Sequence, residues 1–157
     1  MLTKLADLLW DLGMTISTAE SCTGGLIAGE LTSLAGSSDY FHEGYVTYSN
    51  DIKEKNLGVS HDTLKQHGAV SHECCKEMLL GLLKRSGSDF GIAVTGIAGP
   101  GGGSKEKPVG LVYIGCGSIN DYRIYEEHFT GNRDEVRRQT VNQAICHLTK
   151  QIIESRK

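Results

Sequence analysis

Proline is scarce in this chain: two residues, Pro100 and Pro108, out of 157, where average usage would place about eight. Basic charge is not in excess either. Sixteen Lys and Arg against nineteen Asp and Glu leave a net −3, which denies nucleic acid its electrostatic footprint. The five cysteines (Cys22, Cys74, Cys75, Cys116, Cys146) are odd in number and contain no C-x-x-C. That spacing argues against a disulfide framework or a zinc site and for a reducing compartment. None of the six histidines stands in H-E-x-x-H or among clustered acids, so no metal is expected. The opening MLTKLADLLWDLGM is too short and too charged to span a membrane, and it lacks a signal-peptide cleavage pattern. A cytoplasmic protein with no membrane or nucleic-acid partner is expected. No linker or internal repeat divides the chain, which predicts a single domain over 1–157.

What is abundant is glycine, with 20 residues against an average nearer 7%. The excess has no three-residue period and lies among ordinary apolar runs, so it is neither collagen-like nor low-complexity. Most of these glycines are expected in turns and at helix stops. Hydrophobic residues at 39% with 22% charged describe a globular chain. For this mass, area scaling buries about 69% of the unfolded surface, enough for a core without staples.

Leu2, Leu5, Leu8, Leu9 and Leu12 recur at helical spacing, and Gly13 stops that helix. Strands are expected over 14–19, 40–48 and 89–95, with paired strands over 109–116 and 122–129 across a turn at 117–121. Helices are expected over 26–34, 51–57 (capped by Asn50) and 61–67. A longer one is capped by Ser71, with Cys75, Leu79, Leu82 and Leu83 as its apolar stripe. Asn132 with Glu135 forms a capping box for the last helix, whose stripe is Val141, Ala144, Ile145, Leu148 and Ile152. Helices separating strands predict an α/β protein: a single layered α/β/α domain with a mixed β-sheet.

Three places offer chemistry. Ser21-Cys22-Thr23-Gly24-Gly25 joins a strand to a helix, where open α/β sheets bind ligands and helix-start N–H groups can hold an anion or oxyanion. Ser21 or Thr23 acting only as a cap is the plainer alternative. The spacing is not G-x-S-x-G, so a hydrolase elbow is not supported. At the second place, Tyr48 to Lys53, a lysine withdrawn from water can act as base toward a serine hydroxyl, with Tyr48 relaying the proton or orienting the amine. A solvated Lys53 and a packing Tyr48 are the alternative there. The third place is the Gly96–Gly103 loop, whose backbone could approach a phosphate closely or simply be a flexible surface loop. Ser104-Lys105 stands where Walker A requires G-K-[ST], and Pro108 works against a helical S-x-x-K at Ser104 and Lys107.

Arg133, Arg137 and Arg138 open the last helix. Asp134 and Arg138 are placed for an i,i+4 ion pair, which leaves Arg137 the freer of the adjacent two to meet a phosphate. Cys22 is either packing or the rival nucleophile to Ser21.

Five ordered stretches, T-A-E-S-C-T-G-G (18–25), G-Y-V-T-Y-S-N-D-I-K (44–53), H-G-A-V-S (67–71), T-G-I-A-G-P-G-G-G-S-K-E-K-P-V-G (95–110) and F-T-G-N-R-D-E-V-R-R (129–138), closely resemble the CinA C-terminal domain family. Its stand-alone members are the PncC-type nicotinamide-nucleotide amidohydrolases. The resemblance covers essentially the whole chain and includes none of the extra N-terminal domain of longer CinA proteins. It implies deamidation of nicotinamide mononucleotide to nicotinate mononucleotide and ammonia, with Ser21, Lys53 and Tyr48 as the catalytic set. The implied substrate-binding set is Thr23, Gly24, Gly25, Asn50, Gly96, Gly99, Gly101, Arg137 and Arg138, with N–H groups near Thr23 and Gly24 for the oxyanion. No metal or organic cofactor is implied, the only ligand is the small nucleotide, and a homo-oligomer is expected. The alternatives are a non-catalytic nucleotide-binding or competence- and damage-related regulatory module, or an amidase for another carboxamide.

Overall fold

The computed structural model describes all 157 residues. Their order is α1 (Leu2–Leu12), β1 (Ile16–Glu20), α2 (Leu26–Leu31), a 3-10 turn (Ser37–Asp39), β2 (Phe41–Val46), α3 (Asn50–Leu57), α4 (His61–His67), α5 (His72–Ser86), β3 (Phe90–Gly96), β4 (Leu111–Ser118), β5 (Asp121–His128) and α6 (Arg133–Ser155). The strands form one sheet in the order β2-β1-β3-β4-β5. Strand β1 runs parallel to both β2 and β3, while β3–β4 and β4–β5 are antiparallel. The predicted mixed sheet is therefore what forms. Glu20 pairs with Val46 on one side and Val94 on the other. The three strands leading into the motif-bearing segments thus end at one edge.

Alternation along the strands assigns their two faces. Ile92 and Val94 of β3 join Ile16, Leu5, Leu9, Ile27 and Leu148 in the larger core, which α1, α2 and α6 cover. Ala93 and Ala19 face the second core, built by Leu57, Leu64, Met78, Leu79 and Leu82 from α3 to α5. Each such Leu, fully buried, contributes about 1.5–3 kcal/mol relative to exposure. Ser71 caps α5 at 3.1 Å from the Cys74 N–H. The predicted capping box of α6 is present, with Asn132 and Glu135 exchanging bonds of 2.9 and 3.0 Å. Two local expectations are corrected. Ser49, not Asn50, caps α3, because its hydroxyl accepts the Ile52 N–H. Helix α2 ends at Leu31, short of the expected 34.

Twelve glycines have positive φ, and most of them serve as turns or helix stops, but others do a different job. Gly91 and Gly115 lie within strands facing α5. A Cβ on Gly91 would stand 3.1 Å from Leu79, Leu82 and Leu83, and one on Gly115 would stand 3.2 Å from the Cys75 sulfur. Glycine here lets a helix settle closely onto the sheet. The closest approach is at Gly81 in α5, where an added Cβ would fall 1.8 Å from the Leu57 carbonyl oxygen at the end of α3.

That approach reverses the usual sign of a helix substitution. Ala in place of Gly in a helix interior ordinarily gains about 1 kcal/mol. Gly81→Ala is expected to lose about 1–3 kcal/mol through overpacking. The loss would be read as a lower urea midpoint at unchanged slope; an unchanged or raised midpoint would contradict the packing described.

Candidate active site

At the carboxyl edge of the parallel strands lies a cavity of about 270 Å³, walled by Ser21, Tyr48, Asn50, Lys53 and Arg133 and by part of the glycine-rich loop. Lys53 reaches it because Ser49 starts α3 directly after β2. The lysine falls one turn into the helix, and a helical side chain leans back toward its own N-terminus. Lys53 is only 1% exposed. Its Nζ lies 3.1 Å from Ser21 Oγ, 2.9 Å from the Thr47 carbonyl and 3.1 Å from the Tyr48 carbonyl. No carboxylate pairs with it. Burial therefore lowers its pKa below the ordinary lysine value of 10.5. A neutral amine has two N–H bonds and one lone pair. In that neutral form, with both N–H groups given to the two carbonyls, the lone pair would face the Ser21 hydroxyl 3.1 Å away.

The serine sits on a turn held from several directions. Its N–H donates to the Val94 carbonyl at 3.2 Å, and its own carbonyl accepts the Gly24 N–H at 3.0 Å. Gly24 and Gly25 take φ of +57° and +103°, a region that disfavours side chains. Arg137 donates from Nε to the Cys22 carbonyl and from Nη2 to the Thr23 carbonyl, at 3.1 and 3.2 Å. In a trans peptide the C=O and N–H point in opposite directions. Holding the Cys22 carbonyl on the Arg137 side therefore turns the Thr23 N–H away from it. The N–H groups of Cys22 and Thr23 take no acceptor from the protein.

Ser21 and Lys53 are thus brought together, and Asn50, Gly96, Gly99 and Gly101 line the same cavity. Tyr48 is divided: its carbonyl accepts from Lys53 Nζ, while the residue is 59% exposed and its phenol accepts from Arg133 Nη2 at 3.1 Å. Thr23, Gly24 and Gly25 shape the turn but do not line the cavity. Gly24 N–H is committed to the Ser21 carbonyl; of the two N–H groups without a protein acceptor, that of Cys22 belongs to a residue lining the cavity, whereas Thr23 is fully buried. Arg137 is spent on backbone carbonyls, and Arg138 pairs with Asp134 at 2.8 Å in the anticipated i,i+4 bridge. Neither lines the cavity. Arg133 does, with Nη1 donating to the Gly99 carbonyl at 2.8 Å. The helical period is the reason. Beginning α6 at Arg133 aims its first residue at the glycine loop, sends Arg137 under the serine turn and turns Arg138 to solvent.

Two contributors were passed over at the level of sequence. Arg133 was legible from the capping box, which makes it the first helical residue. Glu20 had a weaker signal, an acid ending an otherwise buried strand. Cys22 does line the cavity, but burial pushes its thiol up to about 12, leaving almost no thiolate at neutral pH.

A three-layer α/β domain that holds a buried lysine against a serine at its parallel strand ends is the class defined by this fold and site. The sequence model of the CinA C-terminal domain matches residues 1–152, and the chain belongs to that family. It is 50% identical over 149 residues to a putative competence-damage inducible protein of Clostridium novyi, covering 95% of this chain and 36% of that protein. A CinA-like protein of Endomicrobium trichonymphae is 51% identical over 146 residues, 34% of its length. The chain thus spans about a third of the length of the curated relatives it matches. Among solved structures, a competence-damaged protein (CinA) superfamily protein from Klebsiella pneumoniae superposes with TM-score 0.94 at 35% identity, covering 98% of this chain and 96% of that one. A competence/damage inducible protein from Agrobacterium tumefaciens gives 0.89 at 47% identity, covering 93% and 92%. No helix here is long and apolar enough to cross a membrane.

The cysteine environments can be checked directly. Cys22, Cys74, Cys75 and Cys116 are buried and Cys146 is partly exposed. Brief alkylation of the native protein at pH 8 is expected to label Cys146 alone, read by peptide mass spectrometry. Rapid labelling of Cys22 would contradict its raised pKa.

Proposed function

We propose that this chain hydrolyses the carboxamide of nicotinamide mononucleotide, giving nicotinate mononucleotide and ammonia. The observation that carries the proposal is Lys53 Nζ at 3.1 Å from Ser21 Oγ, with two carbonyls absorbing its N–H groups. A solvated lysine is an acid at neutral pH, whereas a desolvated one can serve as a base. Membership of a family that includes amidohydrolases favours a carboxamide as the carbonyl attacked.

Ser21 Oγ attacks the carboxamide carbon as Lys53 takes its proton. The N–H group of Cys22, a residue lining the cavity and without a protein acceptor there, receives the oxyanion, a donor of this kind being worth about 3–4 kcal/mol. The Lys53 ammonium passes its proton to the amide nitrogen and ammonia departs, leaving an ester on Ser21. Water, deprotonated by Lys53, cleaves that ester, and the serine recovers its proton. Arg133 and the loop N–H groups of Gly99, Gly101 and Gly102, which have no protein acceptor, offer the nucleotide phosphate a place on the opposite wall.

Incubating the purified protein with nicotinamide mononucleotide should release ammonia and nicotinate mononucleotide in equal amounts. Ser21→Ala should abolish release, and Lys53→Met should reduce it by about 10²–10⁴-fold, the span of general-base catalysis. Saturable nucleotide binding without turnover would instead make the chain a binding module. The pH profile has a defined sign. Only the neutral amine accepts the serine proton, so kcat/KM should rise with pH to a plateau. The midpoint should lie below 10.5, because burial lowers the Lys53 pKa. A profile flat across that range, or one falling as pH rises, would remove Lys53 as the base.

A further inference from the structure

Glu20 is almost fully buried, at 1% exposure, one residue before the serine. Its Oε1 accepts from Thr23 Oγ1 at 2.5 Å and from the Ile27 N–H at 2.8 Å, and its Oε2 accepts from the Ala28 N–H at 3.0 Å. No lysine, arginine or histidine pairs with it, and it does not line the cavity. A buried charge without a cationic partner is costly unless hydrogen bonds satisfy it. Here three donors converge on it, all from the turn and helix that follow the serine.

The backbone of the same residue faces the base. The Glu20 carbonyl accepts the Thr47 N–H at 2.8 Å, and the Thr47 carbonyl is one of the two that hold Lys53 Nζ. Glu20 therefore joins the serine turn, through its side chain, to the strand end that aims the lysine, through its main chain. Its carboxylate also consumes the Ile27 and Ala28 N–H groups at the start of α2. Of the N–H groups that follow the serine, that of Cys22 is thus left without a protein acceptor on a residue lining the cavity.

We propose that Glu20 is a positioning residue for the nucleophile: its carboxylate, clamped by Thr23, Ile27 and Ala28, holds the Ser21 turn in register with Lys53. The assignment rests on Ser21 being the nucleophile. Glu20→Gln preserves shape but places an amide N–H₂ against a backbone donor, because only one of its two termini can accept. Thr23→Val removes a single bond while leaving both N–H bonds from α2 intact, and Thr23→Ser restores the hydroxyl.

The test has two arms. In the first, turnover of nicotinamide mononucleotide is measured per folded molecule for each variant. In the second, the rate at which a fluorophosphonate modifies Ser21 is followed by intact mass, which needs no amide turnover. Glu20→Gln should lower kcat by about 10- to 100-fold, the scale of a misplaced reacting group, with KM and the midpoint of the pH profile unmoved. Ser21 phosphonylation should slow in parallel. Thr23→Val should show the same pattern more weakly, and Thr23→Ser should regain the wild-type rates. If Glu20→Gln loses thermal stability yet keeps wild-type kcat and phosphonylation rate per folded molecule, the positioning role is overturned. If Glu20→Gln does not fold, the Thr23 pair decides: equal phosphonylation rates in Thr23→Val and wild type would also overturn it. A wild-type protein that is phosphonylated but does not deamidate the nucleotide would sink the proposed substrate and leave the second arm valid.

Discussion

A lysine amine buried without a carboxylate partner constrains everything near it. Its charged form loses hydration that nothing ionic replaces, so the neutral form gains weight and the N–H groups must find neutral acceptors. The carbonyls of Thr47 and Tyr48 provide them only because β2 stops at Val46 and the chain bends into α3 within three residues. The parallel pairing of β1 with β2 then delivers Ser21 to the remaining side of the nitrogen. Separated strand ends would leave a lysine that either stays charged or turns to solvent.

Around the serine the protein separates donors from acceptors. Arg137 collects the carbonyls of Cys22 and Thr23, and Glu20 collects the Thr23 hydroxyl with the first free N–H groups of α2. What stays without a protein acceptor beside the hydroxyl is the N–H of Cys22, a residue lining the cavity, and that of the buried Thr23 behind it. Both charged residues act from outside the cavity, and neither needs to meet a ligand to matter. The opposite wall is different in kind, since Arg133 ties the glycine loop to Tyr48 there, donating to the Gly99 carbonyl and the Tyr48 phenol.

Glycine serves these ends in two ways. At Gly24 and Gly25 positive φ permits the sharp turn behind the serine. At Gly81, Gly91 and Gly115 the missing Cβ lets α5 press against α3 and the sheet. The close seat of α5 also brings the α4–α5 corner to the strand edge, where the Ala69 carbonyl accepts from Thr95 and lines the cavity beside it. Packing far from the serine therefore helps shape its surroundings.

Most of the architecture was legible in the sequence, because helical and alternating periodicities are local and each element here has a single dominant one. The α6 capping box and the α5 stripe rest on residues within a turn or two of each other, whereas the candidacy of Ser21 and Lys53 rests mainly on the family resemblance. The same locality explains the misses. Whether Arg133, Arg137 or Arg138 faces the cavity depends on where α6 lies against the β3–β4 loop, and residues of the same type carry no mark of it. That the Tyr48 carbonyl accepts from Lys53, and that Glu20 is enclosed by donors, depends on how the turns after β2 and β1 close within three to eight residues, which residue type does not mark. The sequence by itself determined the elements, the chemical groups available and the family. The tertiary structure alone decided which groups meet and which are spent on the backbone, because hydrogen bonding and desolvation act over a few ångströms in space rather than along the chain.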